Sequence, residues 1–328
     1  MKILAVDDDA IILKLLDQII LALGDHQLTL AESGAQALEL IAQNDDAPFD
    51  CFMFDIQMPN MDGIELVKRV RAIDDYVDTP VLMLTAMSDK RYIDRAFAFG
   101  ATDYVTKPFE VSELETRLNL LQTVAQNRQP HAKKIFAAQA LGDGSQPTEQ
   151  LEFQLYEPIS IYDVENVIDH TAFENYLAQL SRSSLFGSTI FAFAIRGVDR
   201  FFEGLSAFEF YSLISDAAEV ISDTMYGHQF LMSYAGNGIF VCVTESGWRP
   251  EMDKLTDRVN LAFVRTELYN NSGDRLDVRV VTGDAVRLVW KSGNSLYSAL
   301  AEAHNSAEEA AIRKERERGS IWLTQSSA

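Results

Sequence analysis

Phe49-Asp50-Cys51-Phe52-Met53-Phe54-Asp55 is a short apolar run that stops on a carboxylate. Its length and continuity suit a strand buried on both faces of a parallel sheet. Working outward, similar runs occur at Ile3 to Val6, Leu28 to Ala31, Val81 to Leu84 and Tyr104-Val105. Between them lie apolar residues at helical spacing, such as Ile11-Ile12-Leu15-Leu16-Ile19 and Ala35-Leu38-Leu40-Ile41, and Val111-Leu114-Leu118-Leu121 reads as a last helix. This alternation of strand and helix predicts a doubly wound α/β fold over residues 1–124, with a five-stranded parallel sheet. In such sheets the working site lies beyond the carboxyl ends of the strands.

Each of these strands ends in polar residues. Val6 is followed by Asp7-Asp8-Asp9, Phe54 by Asp55, Leu84 by Thr85, and Val105 by Thr106-Lys107-Pro108. Carboxylates gathered at one sheet edge repel one another, and a divalent cation relieves the repulsion. Mg²⁺ suits them, because it binds through one or two carboxylates and accepts phosphate oxygens. A carboxylate is a weak nucleophile toward phosphorus, so it needs a metal on the transferring oxygens and a fixed ammonium beside them. The expected roles are Asp55 as nucleophile, Asp7 and Asp8 as metal ligands, Lys107 as the ammonium and Thr85 as a hydrogen-bond donor to the new phosphoryl group. Asp9 is read as the cap of a helix beginning near Ala10, and Asp50 as a strand-flanking acid.

Length and charge bound the remaining classes. At 328 residues the chain has room for two domains. Its 47% hydrophobic and 23% charged residues suit a soluble globular protein. The apolar start is too short for a signal-peptide core and no run approaches a membrane span, so a cytoplasmic location without membrane contact is expected. A formal charge of -21 disfavours nucleic acid as a partner. The late run Arg313-Lys314-Glu315-Arg316-Glu317-Arg318 interleaves both signs, as a solvated helix face does. Cys51 and Cys242 lie within apolar segments and read as buried thiols.

Beyond the last helix the sequence turns polar at Asn127-Arg128-Gln129-Pro130, and a short helix is expected over Lys133 to Leu141. The breakers Gly142-Asp143-Gly144-Ser145-Gln146-Pro147 mark a linker, and Leu151-Phe153-Leu155 suggests a strand ended by Pro158. Residues 125–162 are therefore read as linker, and 163–328 as a second, mixed α/β domain. Its helical patterns centre on Phe173-Leu177-Leu180, Phe210-Leu213-Ile214-Ala217-Ala218-Ile221, Leu255 to Leu268 and Leu296 to about Ile312. Strands are expected at Ile190 to Ile195, Gln229 to Tyr234, Ile239 to Val243 and Val278 to Val281. Ala235-Gly236-Asn237-Gly238 between two apolar runs signals a hairpin.

The stretches Val6-Asp7-Asp8, Phe54-Asp55-Ile56-Gln57-Met58-Pro59-Asn60-Met61-Asp62-Gly63, Thr85-Ala86 and Tyr104-Val105-Thr106-Lys107-Pro108-Phe109 resemble the signature segments of bacterial two-component receiver domains, in order and spacing. The resemblance implies a flavodoxin-like sheet phosphorylated on Asp55. It implies Asp8 as a direct Mg²⁺ ligand, Asp7 as a ligand through water, and the backbone carbonyl of Gln57 as another. Thr85 and Tyr104 resemble the family's switch pair. Met87 stands where the family often carries a polar residue, which implies slow self-dephosphorylation. A sensor histidine kinase or phosphotransfer protein is the implied donor, with a downstream signalling protein as target and homodimerisation on phosphorylation.

The second domain resembles the GGDEF fold of diguanylate cyclases through Asp169-His170-Thr171-Ala172-Phe173, Ile195-Arg196-Gly197-Val198-Asp199-Arg200-Phe201, Tyr234-Ala235-Gly236-Asn237-Gly238-Ile239 and Val281-Thr282-Gly283. Such cyclases join two GTP molecules with metal held by carboxylates. Here Gly197, Asn237 and Gly238 stand at the carboxylate positions, so no cyclase activity is expected. Tyr226 and Gln229 stand where the family has its product-inhibition Arg and Asp. Three readings stay open: an inactive output domain that signals by protein interaction, one that binds GTP or a cyclic dinucleotide without turnover, and a divergent cyclase using Asp199 and Asp284. Gly236 and Gly238 would still permit a backbone approach to phosphates.

Overall fold

The structure is a computed structural model that describes residues 1–24, 26–44, 48–86, 90–126, 153–179, 187–245, 247–288 and 294–325. It divides the chain into two units, Met1–Pro147 and Thr148–Ala328. Met87, the helix expected over Lys133 to Leu141 and the breaker cluster lie outside the described residues.

In the first unit β1 (Lys2–Val6), β2 (Gln27–Ala31), β3 (Cys51–Asp55), β4 (Val81–Thr85) and β5 (Asp103–Thr106) form a sheet in the order β2-β1-β3-β4-β5. Every pairing is parallel. The helices are α1 (Ala10–Leu23), α2 (Gly34–Ala42), α3 (Gly63–Arg71), α4 (Lys90–Ala98) and α5 (Val111–Gln126). The three central strands are continuous apolar runs because helices cover both faces: Ile3 to Val6, Cys51 to Phe54 and Val81 to Leu84 are all fully buried. Leu16, Ile19 and Ile20 of α1 join Leu114, Leu118 and Leu121 of α5 in one core against β1, β3 and β4. The expected face of α1 is rotated, since Leu13, Leu16, Ile19 and Ile20 are buried while Ile11 and Leu15 are exposed. Asp9 caps α1 by accepting from the Ile11 N–H, and Asp62 caps α3 by accepting from the Glu65 N–H. Asp50 accepts from the Lys2 N–H at 2.7 Å, as a strand-flanking acid does.

Register then fixes where the strands stop. Val6 lies opposite Phe54, Leu84 opposite Asp55, and Thr106 opposite Thr85. Asp7, Asp55, Thr85 and Lys107 consequently emerge side by side at one edge of the sheet.

The second unit contains α6 (His170–Gln179), β6 (Thr189–Ile195), α7 (Val198–Gly204), α8 (Ala207–Thr224), β7 (Phe230–Tyr234), β8 (Ile239–Thr244), α9 (Met252–Thr266), β9 (Val280–Thr282), β10 (Val286–Arg287) and α10 (Asn294–Gln325). The sheet order is β10-β6-β8-β7, all antiparallel, with β9 also paired to β6. The apolar stripe of α8, Phe210-Leu213-Ile214-Ala217-Ala218-Ile221, is buried throughout as its periodicity predicts.

Two expectations are corrected. No strand forms over the described part of Leu151-Phe153-Leu155; a turn starts at Leu155, where the Glu157 N–H returns to the Gln154 carbonyl. Nor are residues 153–162 a free linker, because Phe153, Leu155, Ile159 and Ile161 pack in the second unit's core. Burial of these four apolar side chains, each worth about 1–3 kcal/mol when complete, outweighs their reading as spacer. Among the described residues no helix is long and apolar enough to cross a membrane.

Candidate functional site

Asp7, Asp8 and Asp55 each bring a carboxylate oxygen to within 4.8 Å of the others, the one such His/Cys/Asp/Glu group among the described residues. Asp7 and Asp55 are buried and Asp8 is exposed. The Lys107 ammonium, delivered from the end of β5, donates to Asp7 Oδ2 at 2.6 Å and to Asp55 Oδ1 at 2.7 Å. Asp7 Oδ1 accepts the Asp9 backbone N–H at 3.0 Å, a second duty of the capping residue that the sequence did not suggest.

The electrostatics follow from burial and charge. Burial pushes the Asp55 carboxyl above the ordinary carboxylate range; Lys107 opposes the shift, and the negative charges of Asp7 and Asp8 add to it. Burial alone would depress the Lys107 ammonium, but its hydrogen bonds to Asp55 and Asp7 outweigh that and hold its pKa above the usual lysine value. Three carboxylates with one ammonium leave two negative charges at the edge of the sheet. A hard divalent cation balances that remainder, and an all-oxygen donor set with one exposed carboxylate fits a small ion that keeps several waters.

Thr85 is fully buried at the end of β4, one residue past the strand position that faces Asp55. Tyr104 is buried in β5 with the Phe97 ring set edge-on at 6.3 Å. Gln57 is exposed, two residues beyond Asp55 in the loop leading to α3. Strand geometry thus joins Asp7 and Asp55 through Lys107 by direct contact, with an Asp8 oxygen within 4.8 Å, and sets Thr85 beside them by register, while Tyr104 lies opposite Met83, two residues short of Thr85.

Lys107→Ala separates the two jobs of the ammonium. Without it the buried carboxylates lose their partner, and breaking such a pair costs about 3–5 kcal/mol. The expected result is a lower thermal midpoint for the first unit in chelator, together with several-fold tighter Mg²⁺ binding by calorimetry, because the competing cation is gone.

In the second unit, the residues that the GGDEF resemblance sets at the cyclase carboxylate positions lie on two turns. Gly197 follows β6 with φ +62°, while Asn237 and Gly238, with φ +51° and +71°, close the hairpin between β7 and β8. The approach that Gly236 and Gly238 permit is taken up by the chain itself. A Cβ on Gly236 would come within 2.2 Å of the Tyr156 carbonyl oxygen, and one on Gly238 within 2.8 Å of the Val198 side chain. The Asn237 N–H donates to the Leu155 carbonyl at 2.7 Å, so that amide is not turned toward a phosphate. Asp199 and Asp284 are both exposed, and neither meets two further His, Cys, Asp or Glu side chains at ligand spacing among the described residues.

Residues 3–119 match the response regulator receiver domain. A chemotaxis protein CheY homolog of Campylobacter jejuni is 35% identical over 118 residues, which cover 36% of this chain and 89% of that protein. A two-component response regulator of Arabidopsis thaliana is 38% identical over 128 residues, 39% of this chain, which spans 20% of that protein's length. Among solved structures, chemotaxis protein CheY4 of Vibrio cholerae is 34% identical, covering 37% of this chain and 97% of its own, with a TM-score of 0.34. With its acidic cluster, its lysine and its β2-β1-β3-β4-β5 sheet, the chain belongs, through its first unit, to the response regulator receiver family.

Proposed function

We propose that this chain is a cytoplasmic response regulator of a two-component phosphorelay, in which Asp55 takes a phosphoryl group from a sensor histidine kinase or phosphotransfer protein. One observation carries the reading: the Lys107 ammonium lies 2.6 Å from Asp7 and 2.7 Å from Asp55 within a three-carboxylate cluster. Asp7, Asp8, Asp55 and the Gln57 backbone carbonyl would hold Mg²⁺, which supplies neutralisation of the phosphoryl oxygens when bound. Asp55 then forms a P–O bond as the donor's bond to phosphorus breaks, Lys107 balances the charge developing on the transferred group, and Thr85 donates its hydroxyl to the product. The acyl phosphate needs no proton from Asp55, which reacts as the anion.

The output unit is read as a catalytically inactive GGDEF-like domain that signals through protein interaction, with phosphorylation promoting a homodimer and a changed surface for a downstream partner. Gly197, Asn237 and Gly238 offer a metal no carboxylate, which supports this over the divergent-cyclase reading. Nucleotide binding without turnover is the second reading, and the cavity described below is the observation in its favour.

Labelled GTP with Mg²⁺, with and without beryllium fluoride as a phosphoryl mimic, tests the proposal alongside a mass measurement in solution. No cyclic dinucleotide and a mimic-dependent rise in mass are expected. Turnover would overturn the inactive-output reading, and an unchanged mass would overturn the dimer switch.

A further inference from the structure

The turn after β6 is lined by guanidinium groups. Arg196, Arg200 and Arg279 border a cavity of about 290 Å³, together with Asp277 and Glu315. The two carboxylate oxygens of Glu315 are shared out: Oε1 accepts from Arg196 at 3.0–3.1 Å, and Oε2 pairs with Arg200. Arg279 donates to Asp277 at 3.0 Å. Gly197 makes the arrangement sterically feasible, because a Cβ there would come within 2.2 Å of the Arg200 guanidinium. The residue that removes a metal carboxylate from this turn is thus the one that admits an arginine.

Three cations and two anions leave this cavity net positive on a chain of formal charge -21. Glu315 belongs to the charged run of α10, whose other described members, Arg313, Lys314, Arg316 and Glu317, are exposed as a solvated face should be. Glu315 alone turns inward, and each of its oxygens meets a different guanidinium. That is how a phosphate oxyanion is held, since guanidinium forks match phosphate and carboxylate geometry alike. We infer that the cavity is an anion site for a phosphate monoester or diphosphate group, and that Glu315 is the intramolecular competitor that the ligand displaces from Arg196 and Arg200. The volume suits one or two phosphoryl groups with a compact organic part, which the apolar face of Phe201 can cover.

This inference deepens the nucleotide-binding reading of the second unit and does not depend on receiver phosphorylation, and its test leaves the receiver site out. Full-length protein is titrated by calorimetry in chelator with pyrophosphate, inorganic phosphate and GMP, where the uncompensated acidic cluster of the first unit repels anions. Glu315→Gln is expected to bind pyrophosphate about tenfold tighter than the parent, the size of effect when partly exposed ion pairs stop competing. Adding Arg196→Ala and Arg200→Ala is expected to abolish that binding. The parent protein should gain thermal midpoint with pyrophosphate and not with chloride at equal ionic strength, a readout that requires no variant. Phosphate and pyrophosphate binding without preference for GMP assigns a site for the phosphoryl group alone; tighter GMP binding assigns a nucleotide. If Glu315→Gln loses stability and gains no anion affinity, Glu315 is a tie between α10 and the sheet, and the proposal fails.

Discussion

Asp55→Asn should take up no label when the protein is incubated with Mg²⁺ and a small phosphodonor, a fall of at least about two orders of magnitude against the parent. The amide oxygen of Asn is not a competent nucleophile, and no other carboxylate in the cluster is hydrogen-bonded as Asp55 is: Asp7 shares the same lysine but is also tied to the Asp9 N–H. The variant should nevertheless fold, and its stability provides the control. Burial raises the Asp55 pKa in the folded state, so the folded protein binds more protons than the unfolded chain between the ordinary carboxylate pKa and the raised one. The contribution of Asp55 to stability is therefore fully present below the unfolded value and is lost as pH rises through the folded value. Asn cannot ionise, so Asp55→Asn should flatten that fall and melt no lower than the parent near neutral pH in chelator. Labelling of the variant at parental rate would place the phosphoryl group elsewhere.

The sheet was legible because buried parallel strands have no solvated face. Cys51 to Phe54 and Val81 to Leu84 read as unbroken apolar runs, and the polar residues that follow them mark the working edge. Helix faces were less legible where apolar residues outnumber the positions a single face can bury. In α1 Ile11, Ile12, Leu15 and Leu16 are all apolar, yet Ile11 is 75% exposed, and only packing against α5 decides the rotation. The receiver site was readable as residue types at strand ends. Its internal order, with Asp8 exposed and Asp7 tied to Lys107, depends on side-chain geometry that a string of three aspartates does not specify.

In the second unit the long-range contacts were the hidden ones. The Leu155 to Asn237 hydrogen bond and the Glu315 pairs with Arg196 and Arg200 join segments far apart in sequence, and no local pattern announces them. The apolar alternation at Leu151-Phe153-Leu155 expressed burial against the core rather than pairing in a sheet. Burial produces the same pattern with or without a neighbouring strand.

On the proposed GGDEF-like reading, writing the cyclase letters into the second unit tests whether its inactivity is one of composition or of shape. The combination Gly197→Asp, Asn237→Asp and Gly238→Glu is expected to yield no cyclic dinucleotide and to melt well below the parent. The sites differ in cost. At Asn237 the φ of +51° is tolerated by Asp, so Asn237→Asp alone should be close to neutral. At Gly197 the φ of +62° is left-handed too, but Asp tolerates it as it does at 237; a new Cβ meets the flexible end of Arg200, which can swing away, and the added carboxylate finds guanidinium groups nearby. At Gly238 the φ of +71° disfavours a side chain, and its Cβ would press on both branches of the turn: within 2.8–2.9 Å of Val198 and 3.3 Å of Ile195, both well buried. Left-handed strain of about 1–2 kcal/mol and overpacking of about 1–3 kcal/mol add to roughly 3 kcal/mol for Gly238→Glu. For a unit of this size that is a drop of about 6–12 °C in thermal midpoint. Calorimetric melts of the single and combined variants check the ranking, with Gly238→Glu expected to account for most of the loss. If the combined variant keeps the parental midpoint and makes product, the hairpin has a cyclase geometry and the proposed inactivity is one of letters alone; if it melts early and makes none, the turn is packed around Val198 and Tyr156 in a way that leaves a carboxylate at position 238 no place to stand.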